Sequence, residues 1–166
     1  MAGGGTETSR WHAREREIDS LPRSSRQTRI PWYLRAIMND QIRVLSVDDH
    51  PRMREGIAMV INSHPNMLMV AQASNGREAI ECFREHMPDV TLMDLRLPDM
   101  SGIDAAVAIR TEFPEARIII LTTFDSDTDQ QRALAAGASA FVLKSAPPGK
   151  LLETIHQVHA GTQSPD

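Results

Sequence analysis

From Ile42 onward the chain alternates short β-rich runs with helical stretches, and this rhythm constrains its fold more than any other feature. Residues 42–47, 67–73, 89–93, 117–121 and 140–143 read as five strands. Three of them are nearly continuous apolar runs, which a parallel sheet covered on both faces requires. The stretches between carry helical signals. Pro51 suits a first helical position, with Met53, Ile57, Val60 and Ile61 on one face. Asn75 can cap a helix with Glu78 three residues on, and Ala79, Ile80 and Phe83 face inward. Ser101 and Asp104 form a capping box that opens a helix with Ile103, Ala106 and Val107 on its apolar side. Ser126 starts a fourth helix that ends with Gly137 at C′, and Leu151, Leu152, Ile155 and Val158 stripe a fifth that stops at Gly161.

Strands and helices in strict alternation with short connections force right-handed crossovers. The expected fold is α/β: a doubly wound five-stranded parallel sheet, (βα)5 and flavodoxin-like, in strand order 2-1-3-4-5. Its functional crevice lies at the carboxyl ends of strands 1 and 3, where the order reverses. Residue chemistry bears on the same place. Strand 1 runs into Asp48 and Asp49, and strand 3 into Asp94.

Charge divides the chain. Residues 1–40 hold seven arginines against five acids, whereas residues 41–166 carry eleven basic against seventeen acidic groups. An acidic globular part argues against non-specific nucleic-acid binding. Residues 1–40 contain Gly3-Gly4-Gly5, a Ser/Arg-rich stretch and no apolar period, and are expected to form a disordered extension, with Met38 as a candidate true start. Residues 41–161 form the expected domain, and 162–166 a short tail. A lone cysteine, Cys82, excludes an intrachain disulfide, and no run approaches a membrane helix or a secretory signal, so a cytoplasmic chain without membrane contact is expected.

Three carboxylates in one crevice repel. At about 4 Å and an effective dielectric near 20, each pair costs roughly 4 kcal/mol. Either some protonate or a cation sits among them, and hard oxygen donors select Mg²⁺ or Mn²⁺ over zinc. Strand 4 delivers Thr122 and strand 5 delivers Lys144, a hydroxyl and an ammonium suited to a phosphoryl oxygen. Asp94, nearest the sheet centre, is left as the nucleophile. Taken singly, each residue reads more simply as a loop acid, a strand threonine or a surface lysine. Taken together, all five sit at carboxyl ends of strands. Lys144 is also one of two lysines beside sixteen arginines, so a compact ammonium stands where arginine was available.

The motifs Val47-Asp48-Asp49-His50, Leu92 through Gly102, Leu121-Thr122-Thr123-Phe124 and Phe141-Val142-Leu143-Lys144 resemble the receiver domain of bacterial response regulators. Asp48-Asp49-His50-Pro51 and the run Lys144 to Pro148 resemble the NarL/FixJ branch, which carries a LuxR-type output domain. The resemblance implies a two-component phosphorelay response regulator. Asp94 would accept a phosphoryl group from a sensor histidine kinase. Asp49 and Asp94 would hold Mg²⁺ directly with the backbone carbonyl of Arg96, and Asp48 largely through water. Thr122 would be the switch hydroxyl, Phe141 the aromatic that fills the space it vacates, and Lys144 the partner of Asp94 and then of the phosphoryl oxygen. Arg96 and Phe124 would border the approach of water to phosphorus. Transcription is the expected output, and a homodimer formed on phosphorylation is among the expected partners.

Two departures qualify this expectation. The chain reaches Asp166 without a helix-turn-helix, so DNA binding is not expected of it as it stands. The run Asp127 to Gln131 lacks apolar residues, so the fourth helix should be loosely held. The competing reading is an enzyme, an Asp-nucleophile metal-dependent phosphohydrolase. Such enzymes need an acid two residues after the nucleophile, and Arg96 cannot serve. The expectation is therefore a switch and not an enzyme. His156 and His159 are expected on a solvated helix face, His50 as helix entry, and Cys82 as inert.

Overall fold

The structure, a computed structural model, describes residues 41–123 and 126–161. Ten elements alternate: β1 (Ile42–Val47), α1 (Pro51–Asn62), β2 (Met67–Ala73), α2 (Gly76–His86), β3 (Val90–Asp94), α3 (Gly102–Glu112), β4 (Ile118–Thr122), α4 (Asp127–Ala135), β5 (Ala140–Leu143) and α5 (Pro148–Ala160). The strands form one sheet in the order β2-β1-β3-β4-β5. Every pairing is parallel. The order reverses between β1 and β3, which opens the crevice at their carboxyl ends.

All five residues of β3 and of β4 are buried, because helices cover both faces of the sheet centre. On one face Ile57 and Ile61 of α1 meet Ile155 and Val158 of α5 over Val44, Leu92 and Ile119. On the other, Phe83 of α2, Ile103 and Ile109 of α3 and Ala133 of α4 pack over Leu45, Met93 and Ile120. Each fully buried branched side chain contributes about 1.5–3 kcal/mol, so these two layers hold the strand ends in place.

The helix signals act as expected. Asn75 accepts from the backbone N–H of Glu78, while the Glu78 carboxylate turns back to the N–H and hydroxyl of Ser74 rather than to Asn75. Ser101 and Ser126 cap α3 and α4 through the N–H groups of Asp104 and Asp129. Gly137 follows α4 with a φ of 85°, the left-handed conformation a helix end needs.

Three expectations need correction. Strands β3 and β4 lie one residue further along than the apolar runs suggest, because Asp94 pairs with Leu121 and Thr122 with Leu143 in the sheet. Val107 is 45% exposed, and Ala105 and Ile109 take the inward positions on α3 instead. His156 is not on an open face: its ring lies edge-on to that of His64, with centroids 5.1 Å apart. Helix α4 buries only Ala133, in keeping with its polar first turns. Residues 1–40, Phe124 and residues 162–166 lie outside the described residues, and with them the expectations placed there.

Candidate phosphoacceptor site

Asp94 is the last residue of β3, and its register with Leu121 sets its backbone at the middle of the sheet's carboxyl edge. Its side chain is buried, like those of Asp48 and Thr122. Lys144 follows β5, and its backbone N–H donates to the Thr122 carbonyl at 2.7 Å. That bond holds the Lys144 backbone beside the end of β4. The Lys144 Nζ lies 2.6 Å from Oδ2 of Asp48 and 2.8 Å from Oδ2 of Asp94. One ammonium thus joins the acids delivered by two neighbouring strands.

The electrostatics follow from burial. Desolvation pushes the Asp94 carboxyl above the ordinary carboxylate range, against the opposing pull of the Lys144 ammonium and the Arg96 N–H. Burial works against the charge of Lys144 as well. Its bonds to Asp48 and Asp94 outweigh that effect and raise it above the usual lysine value. The ammonium is therefore firmly charged at neutral pH.

The loop after Asp94 is pinned at both ends. The Leu95 carbonyl accepts from the Gly102 N–H at 2.8 Å, and Arg96 bridges to Ser101. At its tip, both carboxylate oxygens of Asp99 accept backbone N–H groups of α2, Gly76 at 2.7 Å and Arg77 at 3.0 Å. The sequence reading missed this contact, which spans more than twenty residues and leaves no local signal. It also missed the placement of His50. His50 is the N-cap of α1, but its Nδ1 lies 3.1 Å from Oδ1 of Asp48 and 2.7 Å from Oδ1 of Asp49. One donor atom each from Asp48, Asp49, His50 and Asp94 falls within 4.8 Å of all the others. The donor set thus includes His50, which the sequence reading had placed only as helix entry. A set dominated by carboxylate oxygens fits a hard divalent cation.

Asp48, Asp49, Asp94, Thr122 and Lys144 thus come to one end of the sheet. Phe141 lies within β5, half-buried against the α2–α4 side of the core. Arg96 is exposed, with its N–H on Oδ1 of Asp94 at 3.2 Å.

This assembly can be set against known proteins. The response regulator receiver domain matches residues 44–156. The chain belongs to that family. It is 39% identical over 124 residues to a nitrate/nitrite response regulator protein homolog of Haemophilus influenzae, covering 75% of this chain and 60% of the relative. Among solved structures, a LuxR-family two-component response regulator from Aurantimonas superposes with a TM-score of 0.72 at 39% identity, over 74% of this chain and 88% of that one. The receiver domain of the response regulator NarL from Mycobacterium tuberculosis gives 0.71 at 30% identity, over 74% and 98%. This chain is a receiver of the NarL/LuxR type, and the phosphohydrolase alternative is not favoured. It spans little more than half the length of the curated relatives it matches, 60% and 56% of the first two.

Proposed function

We propose that residues 41–161 act as a phosphorylation-driven switch in which Asp94 accepts a phosphoryl group from a sensor histidine kinase. The observation that carries this reading is the Lys144 ammonium held at 2.6 and 2.8 Å between Asp48 and Asp94 at the sheet's reversal point. An oxygen of Asp94 attacks phosphorus in line, the bond from phosphorus to the donor imidazole breaks, and the imidazole leaves with the electron pair. Lys144, already charged and positioned, exchanges Asp94 for a phosphoryl oxygen, so little reorganisation is needed as charge develops.

Asp49, Asp94 and the Arg96 carbonyl would hold Mg²⁺, with Asp48 alongside, and the ion would neutralise charge on the phosphoryl oxygens. Thr122, buried at the end of β4, is the hydroxyl drawn toward the phosphoryl group, and Phe141 on the adjacent strand fills the space it leaves. The polar, weakly anchored α4 is the next element after β4, so it is the element such a shift moves at least cost. We place the chain in the cytoplasm, with transcription as the process regulated and a second copy as a partner of the phosphorylated form. Among the described residues no helix is long and apolar enough to cross a membrane.

Incubation with acetyl phosphate and Mg²⁺ tests the reading by intact mass. One phosphoryl group is expected on the wild type, on Asp94, and none on Asp94→Asn. Thr122→Ala should still be modified but lose most of the amide chemical-shift response. Full labelling of the Asn variant would overturn the assignment, and turnover of phosphate esters would favour an enzyme instead.

A further inference from the structure

We propose that His50 is a metal ligand that biases the acidic site toward transition-metal divalents over Mg²⁺. The inference rests on the proposal that this site holds a metal at all. Two ligands at adjacent corners of an octahedral ion, with bonds of about 2.1 Å, stand about 3.0 Å apart. The Nδ1 of His50 stands 3.1 Å from Oδ1 of Asp48 and 2.7 Å from Oδ1 of Asp49. These separations match the edges of a coordination shell. One donor atom each of Asp48, Asp49, His50 and Asp94 lies within 4.8 Å of the others, so a small inward adjustment of Asp94 would bring a fourth donor to the same ion.

The backbone fixes this arrangement. The His50 N–H donates to Oδ1 of Asp48 at 2.9 Å, which folds the chain back after β1 and brings the ring beside the acids. The ring makes no cap bond to α1, so no helical duty competes for it. Carboxylates only accept, so in the metal-free chain Nδ1 donates a proton toward the two acids. Binding a metal through Nδ1 would require the ring proton to sit on Nε2 instead. The side chain is 72% exposed, so water has access for this exchange. An imidazole nitrogen among carboxylate oxygens gains most with metals late in the divalent series, such as Ni²⁺, and least with Mg²⁺.

The test compares the full chain with His50→Ala at one fixed pH. Titration calorimetry measures Mg²⁺ and Ni²⁺ affinity, and electron spin echo modulation of bound Mn²⁺ reads directly coordinated nitrogen. The expected result is ¹⁴N coupling in the wild type that vanishes in the variant. With it, the preference for Ni²⁺ over Mg²⁺ should fall about tenfold while Mg²⁺ affinity holds. Mn²⁺ bound without nitrogen coupling, and an unchanged preference in the variant, would overturn the role of His50 and leave the metal site standing. Absence of any divalent binding by the wild type would overturn the metal site itself.

Discussion

The Nζ of Lys144 lies 2.8 Å from Oδ2 of Asp94, and both side chains are more than nine-tenths buried. The same ammonium reaches Asp48, whose side chain is fully buried, at 2.6 Å. Removing the cation leaves two carboxylates facing each other out of water. Lys144→Ala should therefore lose about 3 kcal/mol of stability, the usual cost of stranding a buried charge. Saturating Mg²⁺ should restore part of the loss by supplying a cation to the same acids. Urea unfolding with and without Mg²⁺ measures both effects, and an undiminished urea midpoint in the variant would contradict them.

Asp94→Asn should move stability the other way. Burial raises the Asp94 carboxyl, so the folded chain binds that proton more tightly than the unfolded chain does. The stabilisation from this group is complete below the ordinary carboxylate value and is lost as pH rises through the raised value. At neutral pH the charged carboxylate is thus a liability, partly offset by Lys144. The Asn variant keeps an acceptor for Lys144 and discards the buried charge. It should be more stable than the wild type at neutral pH without divalent ions, and lack the wild type's decline across that window. Urea midpoints collected over a pH series decide this. A less stable Asn variant would mean that the ion pair outweighs burial.

What was legible in the sequence was what local pattern encodes. The strand runs, the caps at Asn75, Ser101 and Ser126 and the glycine after α4 each report their own backbone, and from them the alternating α/β architecture follows. Asp48, Asp49, Asp94, Thr122 and Lys144 could be placed together because topology alone carries strand ends to one edge. Illegible features were those set by contacts between loops. Nothing near His50 says that its ring turns toward two acids, and nothing near Asp99 says that it caps a helix more than twenty residues earlier. Val107 was misplaced for a different reason. On a helix of mostly small residues, alanines fill the inward face as well as valine does, so apolar spacing does not identify the buried side.

Asp99 offers a way to separate loop positioning from chemistry. Its carboxylate sits below the usual range, first through the Gly76 N–H and then through Arg77 and its own loop backbone, with burial opposing. The cap therefore stabilises the chain above the ordinary carboxylate value and is lost as pH falls through the lowered one. Asp99→Ala should speed hydrogen exchange at Gly76 and Arg77 at neutral pH while leaving that of central β4 amides unchanged. Because the same loop carries Arg96, the variant should need more Mg²⁺ to reach half-maximal phosphorylation, with a near-normal rate at saturation. A lowered saturated rate with normal Mg²⁺ dependence would place Asp99 outside this role.

Two glycines near the site predict opposite tolerances. A Cβ on Gly102 would stand 2.0 Å from the Asp94 backbone oxygen, 2.9 Å from its carbonyl carbon and 3.1 Å from a Met93 side-chain carbon. The first two are atoms of the sheet's central strand, locked by pairing to β1 and β4, and cannot retreat without moving the acceptor. A Cβ on Gly76 would also crowd its surroundings, but against side chains: Cγ and Sδ of Met100 at 2.4 and 2.6 Å, and Oδ1 of Asp99 at 3.3 Å. A half-buried methionine turns aside through its own torsions. Gly102→Ala should thus cost about 3 kcal/mol, while Gly76→Ala should cost about 1 kcal/mol or less. Phosphorylation separates them further. In Gly102→Ala the displaced Asp94 leaves the reach of Lys144, and the acetyl phosphate reaction should slow at least tenfold even under conditions where the variant is fully folded. Gly76→Ala leaves the strand end untouched and at saturating Mg²⁺ should react at nearly the wild-type rate. Equal losses in the two variants would show that the close approach of α3 to Asp94 does not position the acceptor.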